Sequence, residues 1–74
     1  MTTKRTYALQ NLGCAACAAK MEKKIGALDG VQTCTVNFLT SKLIIEGEEA
    51  QLPQIAQEAN RIVRRIEPKA SVKL

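Results

Sequence analysis

The sequence predicts an α+β sandwich of order β-α-β-β-α-β, a four-stranded antiparallel sheet with two helices on one face. Three observations predict it. Two stretches carry apolar residues at helical spacing, the first with Ala18, Met21, Ile25 and Leu28, the second with Leu52, Ile55, Ala59, Ile62, Val63 and Ile66. Short alternating stretches flank and separate them. Turn and stop signals divide these elements, namely Asp29-Gly30, Leu39-Thr40-Ser41 and Glu67-Pro68.

The elements follow in order. Thr6 to Leu12 reads as strand one, with Tyr7 and Leu9 on one face and Ala8 and Gln10 on the other. A turn holding Cys14 leads into helix one, from about Ala15 to about Leu28, whose last turn Gly26 weakens and Asp29-Gly30 stops. Gln32 to Phe38 alternates Cys34, Val36 and Phe38 against Thr33, Thr35 and Asn37, a half-buried strand with the first set inward. Lys42 to Glu46 returns as strand three, with Leu43 and Ile45 on one side, and Gly47-Glu48-Glu49 is expected to break it. Pro53 suits the first turn of helix two, and Glu67-Pro68 ends it, because the residue before proline is pushed out of the helical region. Ala70 to Leu74 is a last strand with Val72 and Leu74 inward. Right-handed crossovers then set strand three between strands one and two. They also gather three loops at one end: the cysteine turn, Leu39 to Ser41, and Glu67 to Lys69.

Residues 1–74 are expected to form one domain. With 46% hydrophobic and 24% charged residues the composition is that of a globular chain. Tyr7 and Phe38 are the only aromatic residues, so the core must come from Leu, Ile, Val and Ala. No apolar run approaches the ~20 residues of a spanning helix, and no signal peptide is visible at Met1-Thr2-Thr3-Lys4-Arg5. Three cysteines without framework spacing point to a reducing compartment rather than a disulfide scaffold. The net charge of +4 gathers on the helices as Lys20, Lys23 and Lys24, then Arg61, Arg64 and Arg65. These read first as solvated outer faces, and second as a docking surface for an acidic partner. Nucleic acid is a poor partner, since no stacking aromatics interleave with the basic residues.

Cys14 and Cys17 carry the chemistry. Cys14 stands in the turn and Cys17 in the first helical turn, beside N–H groups without intrahelical partners. Those donors and the positive end of the helix dipole favour thiolate. A pair at this spacing closes on one soft metal ion or on itself as a disulfide. Two thiolates suit two-coordinate Cu(I), whereas Zn(II) or Cd(II) wants about four ligands and must find more from loops, water or a partner. Glu67 is the candidate auxiliary oxygen donor, although a glutamate before a helix-ending proline is more often merely solvated. Cys34, well below the top of its strand and directed inward, reads as a small buried hydrophobe. Lys20, one turn after Cys17, either offsets thiolate charge or is plain surface. A thiol–disulfide enzyme fits poorly, because Cys14-Ala15-Ala16-Cys17 holds neither aromatic nor proline and the element order is not that of thioredoxin.

The element order and the stretch Asn11-Leu12-Gly13-Cys14-Ala15-Ala16-Cys17 resemble the heavy-metal-associated domain, a ferredoxin-like module of small metallochaperones and of metal-exporting P-type ATPases. The resemblance covers about Thr6 to Leu74. Cys17-Ala18-Ala19-Lys20-Met21-Glu22, Val36-Asn37-Phe38 with Ser41-Lys42-Leu43, and Ile66-Glu67-Pro68 are similar to the cadmium/zinc branch. Two positions depart from the pattern: Asn11 replaces the family glycine, and Gly13 stands where zinc exporters often carry an aspartate that looks like a third ligand. Glu67-Pro68 stands where copper-type members tend to carry a lysine or a Gly-Tyr pair. The resemblance implies one soft metal ion, Zn(II), Cd(II) or Pb(II) ahead of Cu(I), held by Cys14 and Cys17. It implies a cytoplasmic N-terminal domain of a plasma-membrane exporter, delivering metal or regulating transport. The partner would be the transmembrane part of that ATPase or another metal-binding domain. A monomer is expected, with a metal-bridged dimer as the alternative. The chain holds no nucleotide loop and no phosphorylated-aspartate motif, so ATP-driven translocation would belong to the parent protein. A free-standing Cu(I) metallochaperone is the alternative function.

Overall fold

In the computed structural model, which describes residues 2–73, the ferredoxin-like α+β sandwich is present. Its elements are β1 (Thr2–Gln10), α1 (Ala15–Gly26), β2 (Val31–Asn37), β3 (Lys42–Glu48), α2 (Leu52–Ile66) and β4 (Ser71–Lys73). A 3-10 turn, Glu49–Gln51, leads into α2. The sheet order is β2-β3-β1-β4, with every neighbouring pair antiparallel. Leu9, Leu43, Ile45 and Val72 on one sheet face meet Met21 and Ile25 of α1 and Leu52, Ile55, Ala59 and Val63 of α2. Met21, Ile25, Leu43, Ile45 and Val63 are fully enclosed, so aliphatic side chains do build the core.

The outer strands are tied to the helices that cover them. Val36 N–H of β2 donates to Glu22 Oε2 on α1 at 2.9 Å, and Val72 N–H of β4 donates to Asn60 Oδ1 on α2 at 2.9 Å. Each bond satisfies an edge N–H that no neighbouring strand reaches.

Several boundaries differ from the sequence reading. β1 begins at Thr2, because β3 continues to Glu48 and pairs with it throughout, Thr2 opposite Glu48 and Lys4 opposite Glu46. Gly47 therefore does not break β3. It lies within the strand, where a Cβ would collide with the Gly30 carbonyl, and Glu48 N–H donates to that same carbonyl at 3.1 Å. Gly30 turns the chain at a φ of 89°, as a Gly can without strain. Helix α1 ends at Gly26, two residues earlier than its apolar stripe suggests. Phe38 does not point into the core: β2 stops at Asn37, and Phe38 stands exposed in the turn. The inward placement expected for Leu74 lies outside the described residues.

Strand directions bring the end of β1, the start of α1, the β2–β3 turn, the end of α2 and the start of β4 to one pole. The three expected loops are thus together.

Candidate metal centre

β1 ends at Gln10, and the chain reverses through Asn11 at a φ of 59°. Asparagine enters this left-handed region more readily than most residues that bear a Cβ, which suits it to a position where glycine would be unstrained. Gly13 follows, then Cys14 as the N-cap of α1, with extended backbone (φ −138°, ψ 115°). No Ser, Thr, Asp or Asn caps this helix; the sulfur does. Cys17 N–H donates to Cys14 Sγ at 3.2 Å, and Ala18 N–H donates to the Cys14 carbonyl at 3.0 Å.

The two thiols are electrostatically unequal. Cys14 is held below its ordinary range, first because it accepts from the Cys17 side chain and then from the N–H groups of Cys17 and Ala16. Cys17 is raised, first because its S–H is the donor to Cys14, then by burial and the neighbouring charges of Cys14 and Glu67, with Lys20 opposing. The Cys14 sulfur is thus the first of the two to lose its proton.

Glu67 closes α2 in an extended conformation (φ −136°, ψ 99°), its N–H still donating to Val63 O at 2.9 Å. Its carboxylate lies over the cysteine loop: a Cβ at Gly13 would stand 3.8 Å from Glu67 Oε1. Its negative charge works against thiolate formation at both cysteines. Glu67 Oε2 is buried without any hydrogen-bond partner. A buried carboxylate oxygen left unpaired is unfavourable by roughly 1–3 kcal/mol or more, and a bound cation is one way to relieve it.

The structure brings Cys14, Cys17 and Glu67 to the same pole. Among the described residues, no three His, Cys, Asp or Glu side chains stand close enough to form a ready cage. Cys34 is not among this group. It is half-buried on β2 against Gly26, and burial first, then the charge of Glu22, pushes its thiol up to about 12. Lys20 is exposed, with a field that reaches Cys17. The inward turn of Glu67 was not visible in the sequence, where the topology returns Glu67 to the cysteine end as a candidate oxygen donor without giving the direction of its side chain. The paired signal was the missing side chain at Gly13, whose neighbouring space the Glu67 carboxylate occupies.

The chain matches the family of the heavy-metal-associated domain over residues 6–71. It is 29% identical over 70 residues to a cadmium, zinc and cobalt-transporting ATPase of Bacillus subtilis, a match covering 95% of this chain and 10% of that protein. It is 53% identical over 38 residues to a probable copper-transporting ATPase of Synechococcus elongatus, covering 51% of this chain and 5% of that one. Among solved structures, the N-terminal domain of a potential copper-translocating P-type ATPase from Bacillus subtilis, in its Cu(I)-loaded state, is similar with a TM-score of 0.73 and 28% identity, covering 99% of this chain and 89% of that one. The chain thus spans a tenth or less of the length of these two curated relatives. Among the described residues no helix is long and apolar enough to cross a membrane. With the family matched along nearly its whole length, and with a βαββαβ sandwich carrying paired cysteines at its first helix, this chain belongs to the heavy-metal-associated domain family.

Proposed function

We propose that this chain binds one soft metal ion through Cys14 and Cys17, with Glu67 as an auxiliary oxygen donor, and that it is the cytosolic N-terminal metal-binding domain of a Zn(II)-, Cd(II)- or Pb(II)-exporting P-type ATPase. The observation that carries this reading is the Glu67 carboxylate. It is held beside a two-thiol loop with one oxygen buried and unpartnered, although its charge opposes both thiolates. Such a placement is unfavourable without a cation and favourable with a divalent one. Two sulfurs and an oxygen suit borderline divalent ions better than Cu(I), which is content with two sulfurs. A set short of four protein donors holds its ion openly, so the ion is easily passed on. The cadmium, zinc and cobalt transporter among the relatives supports the same choice of metals.

The second reading is a free-standing Cu(I) metallochaperone. The copper-transporting relative and the Cu(I)-loaded neighbour support it, as does the sufficiency of two thiolates for that ion.

Competitive titration of the reduced protein with Cd(II), Zn(II) and Cu(I), followed by thiolate-to-metal charge-transfer absorption, separates the two. We expect one-to-one binding of Cd(II) or Zn(II), weakened about 10–100-fold by Glu67→Gln. Binding of Cu(I) alone, indifferent to Glu67→Gln, would establish the copper relay instead.

A further inference from the structure

β4 covers only part of the sheet edge on which it lies. It pairs with Ala8, Leu9 and Gln10 of β1, and among the described residues no strand follows the same side of residues 2–7. The ladder tells which backbone groups are turned that way. Leu9 N–H donates to Ser41 O at 2.8 Å, on the β3 side of the strand. Hydrogen-bonding groups alternate between the two sides of a strand, so Thr2, Lys4 and Thr6 turn their N–H and C=O groups to the open side. Val72 N–H leaves β4 away from β1, toward Asn60 Oδ1, as the same alternation requires. At ~3.3 Å per residue the open edge is about 20 Å long.

A groove of about 270 Å³ runs beside this edge, between β1 and the start of α2. Arg5, Tyr7, Leu52, Pro53, Ala56 and Gln57 line it. Leu52 and Ala56 are buried and Tyr7 half-buried, which makes the floor apolar, while Arg5 and Gln57 are exposed. Main-chain donors and acceptors next to an apolar groove are what an extended peptide uses when it adds to a sheet as a further strand. The backbone supplies the pairing, and the groove reads alternate side chains. Charge narrows the choice of peptide. Lys4 and Arg5 lie on the open run and Lys73 at its end, opposite Ala8. Across the sheet Lys4 faces Glu46, but Arg5 faces Ile45. Two copies paired antiparallel about the middle of this run would set Lys4 opposite Lys4, so a second copy is disfavoured as occupant.

We propose that residues 2–7 take up an extended segment of another protein as an added strand, antiparallel to β1 and in line with β4. An aliphatic side chain of that segment fills the groove beside Tyr7 and Ala56, and acidic side chains lie by Lys4 and Arg5. The open run starts at the pole opposite the cysteines. A segment held there leaves Cys14 and Cys17 uncovered, and its binding does not depend on metal.

The test uses the reduced, metal-free protein and a synthetic peptide of about seven residues, rich in valine and glutamate and matched to the edge in length. Backbone NMR shifts and hydrogen exchange report where it sits. The Lys4 and Thr6 amides should shift and exchange at least about tenfold more slowly with peptide bound, whereas Arg5 and Tyr7 are protected before and after. Methylating the peptide's backbone nitrogens should abolish binding, since it removes the donors. Thr6→Pro, which removes an N–H that β3 does not use, should abolish it too. Arg5→Ala should weaken it about threefold. Four results would overturn the proposal: a methylated peptide that binds like its parent; equal binding of a peptide with lysine in place of glutamate; self-association of the protein through residues 2–7; or peptide shifts that vanish when Cd(II) is added, which would put the peptide at the cysteine pole.

Discussion

Ala18, Met21, Glu22 and Ile25 of α1 recur, at one constant step along the chain, as Ala56, Ala59, Asn60 and Val63 of α2. The equivalences are physical. Ala18, Met21 and Ile25 are buried against the sheet, as are Ala56, Ala59 and Val63. Glu22 and Asn60 each accept the N–H of a valine on an outer strand. The same step carries Cys14 to Leu52, Cys17 to Ile55 and Asp29 to Glu67. There the two halves part. Leu52 and Ile55 are buried, and the 3-10 turn Glu49–Gln51 closes the entry to α2. The entry to α1 is an open loop in which sulfur itself caps the helix. One supersecondary plan thus yields core where the helix N-terminus is closed and soft donors where it is left open. The acidic residue after each helix completes the contrast. Asp29 is exposed, while Glu67 turns inward over the open loop.

The two halves differ most at the cysteines. Cys14→Ser or Cys17→Ser should reduce Cd(II) affinity by more than about 100-fold while the circular dichroism spectrum stays native, since neither thiol belongs to the enclosed core. Carrying the pair across should fail. Leu52→Cys with Ile55→Cys places the same spacing on α2, removes enclosed aliphatic volume, and should destabilise the domain by roughly 3–5 kcal/mol in guanidinium unfolding. A stable double variant binding a second Cd(II) ion would show that the two helix entries are interchangeable.

Smaller effects are expected where the helices hold the outer strands. Asn60→Ala should cost about 1 kcal/mol and speed hydrogen exchange at Val72, and Glu22→Ala should do the same at Val36. The Cys34 thiol, pushed from its ordinary 9.0 to about 12, is favoured in its neutral form by the fold. Its contribution to stability is therefore complete below about pH 9 and is lost as the pH rises towards 12. Cys34→Ala should flatten that alkaline decline and leave metal affinity unchanged.

Much of this plan was legible in the residues. Helical periodicity located both helices, Pro53 and Pro68 bracketed α2, and the topology alone brought Glu67 to the cysteine end. Other features depended on contacts between distant segments. Alternation ran one residue too far at Phe38, because nothing in the local pattern says where β3 ceases to pair with β2. Gly47 resembles a strand breaker until the Gly30 carbonyl is found against it. Glu22 and Asn60 look like solvated helix positions, and their acceptor role exists only once outer strands lie beside them. The direction of Glu67 was hidden for the same reason, since the space it fills is left by Gly13, far away in the chain.

On the proposed reading, Glu67 completes the donor set begun by Cys14 and Cys17. Carbon NMR of the side-chain carboxyl groups, in glutamate-labelled protein titrated with an NMR-active cadmium isotope, tests it directly, with Glu67→Gln providing the assignment. Direct ligation predicts that the Glu67 carboxyl resonance shifts at one equivalent of metal and shows coupling to cadmium, while the other glutamates stay in place. A Glu67 resonance unmoved by bound Cd(II) would contradict it.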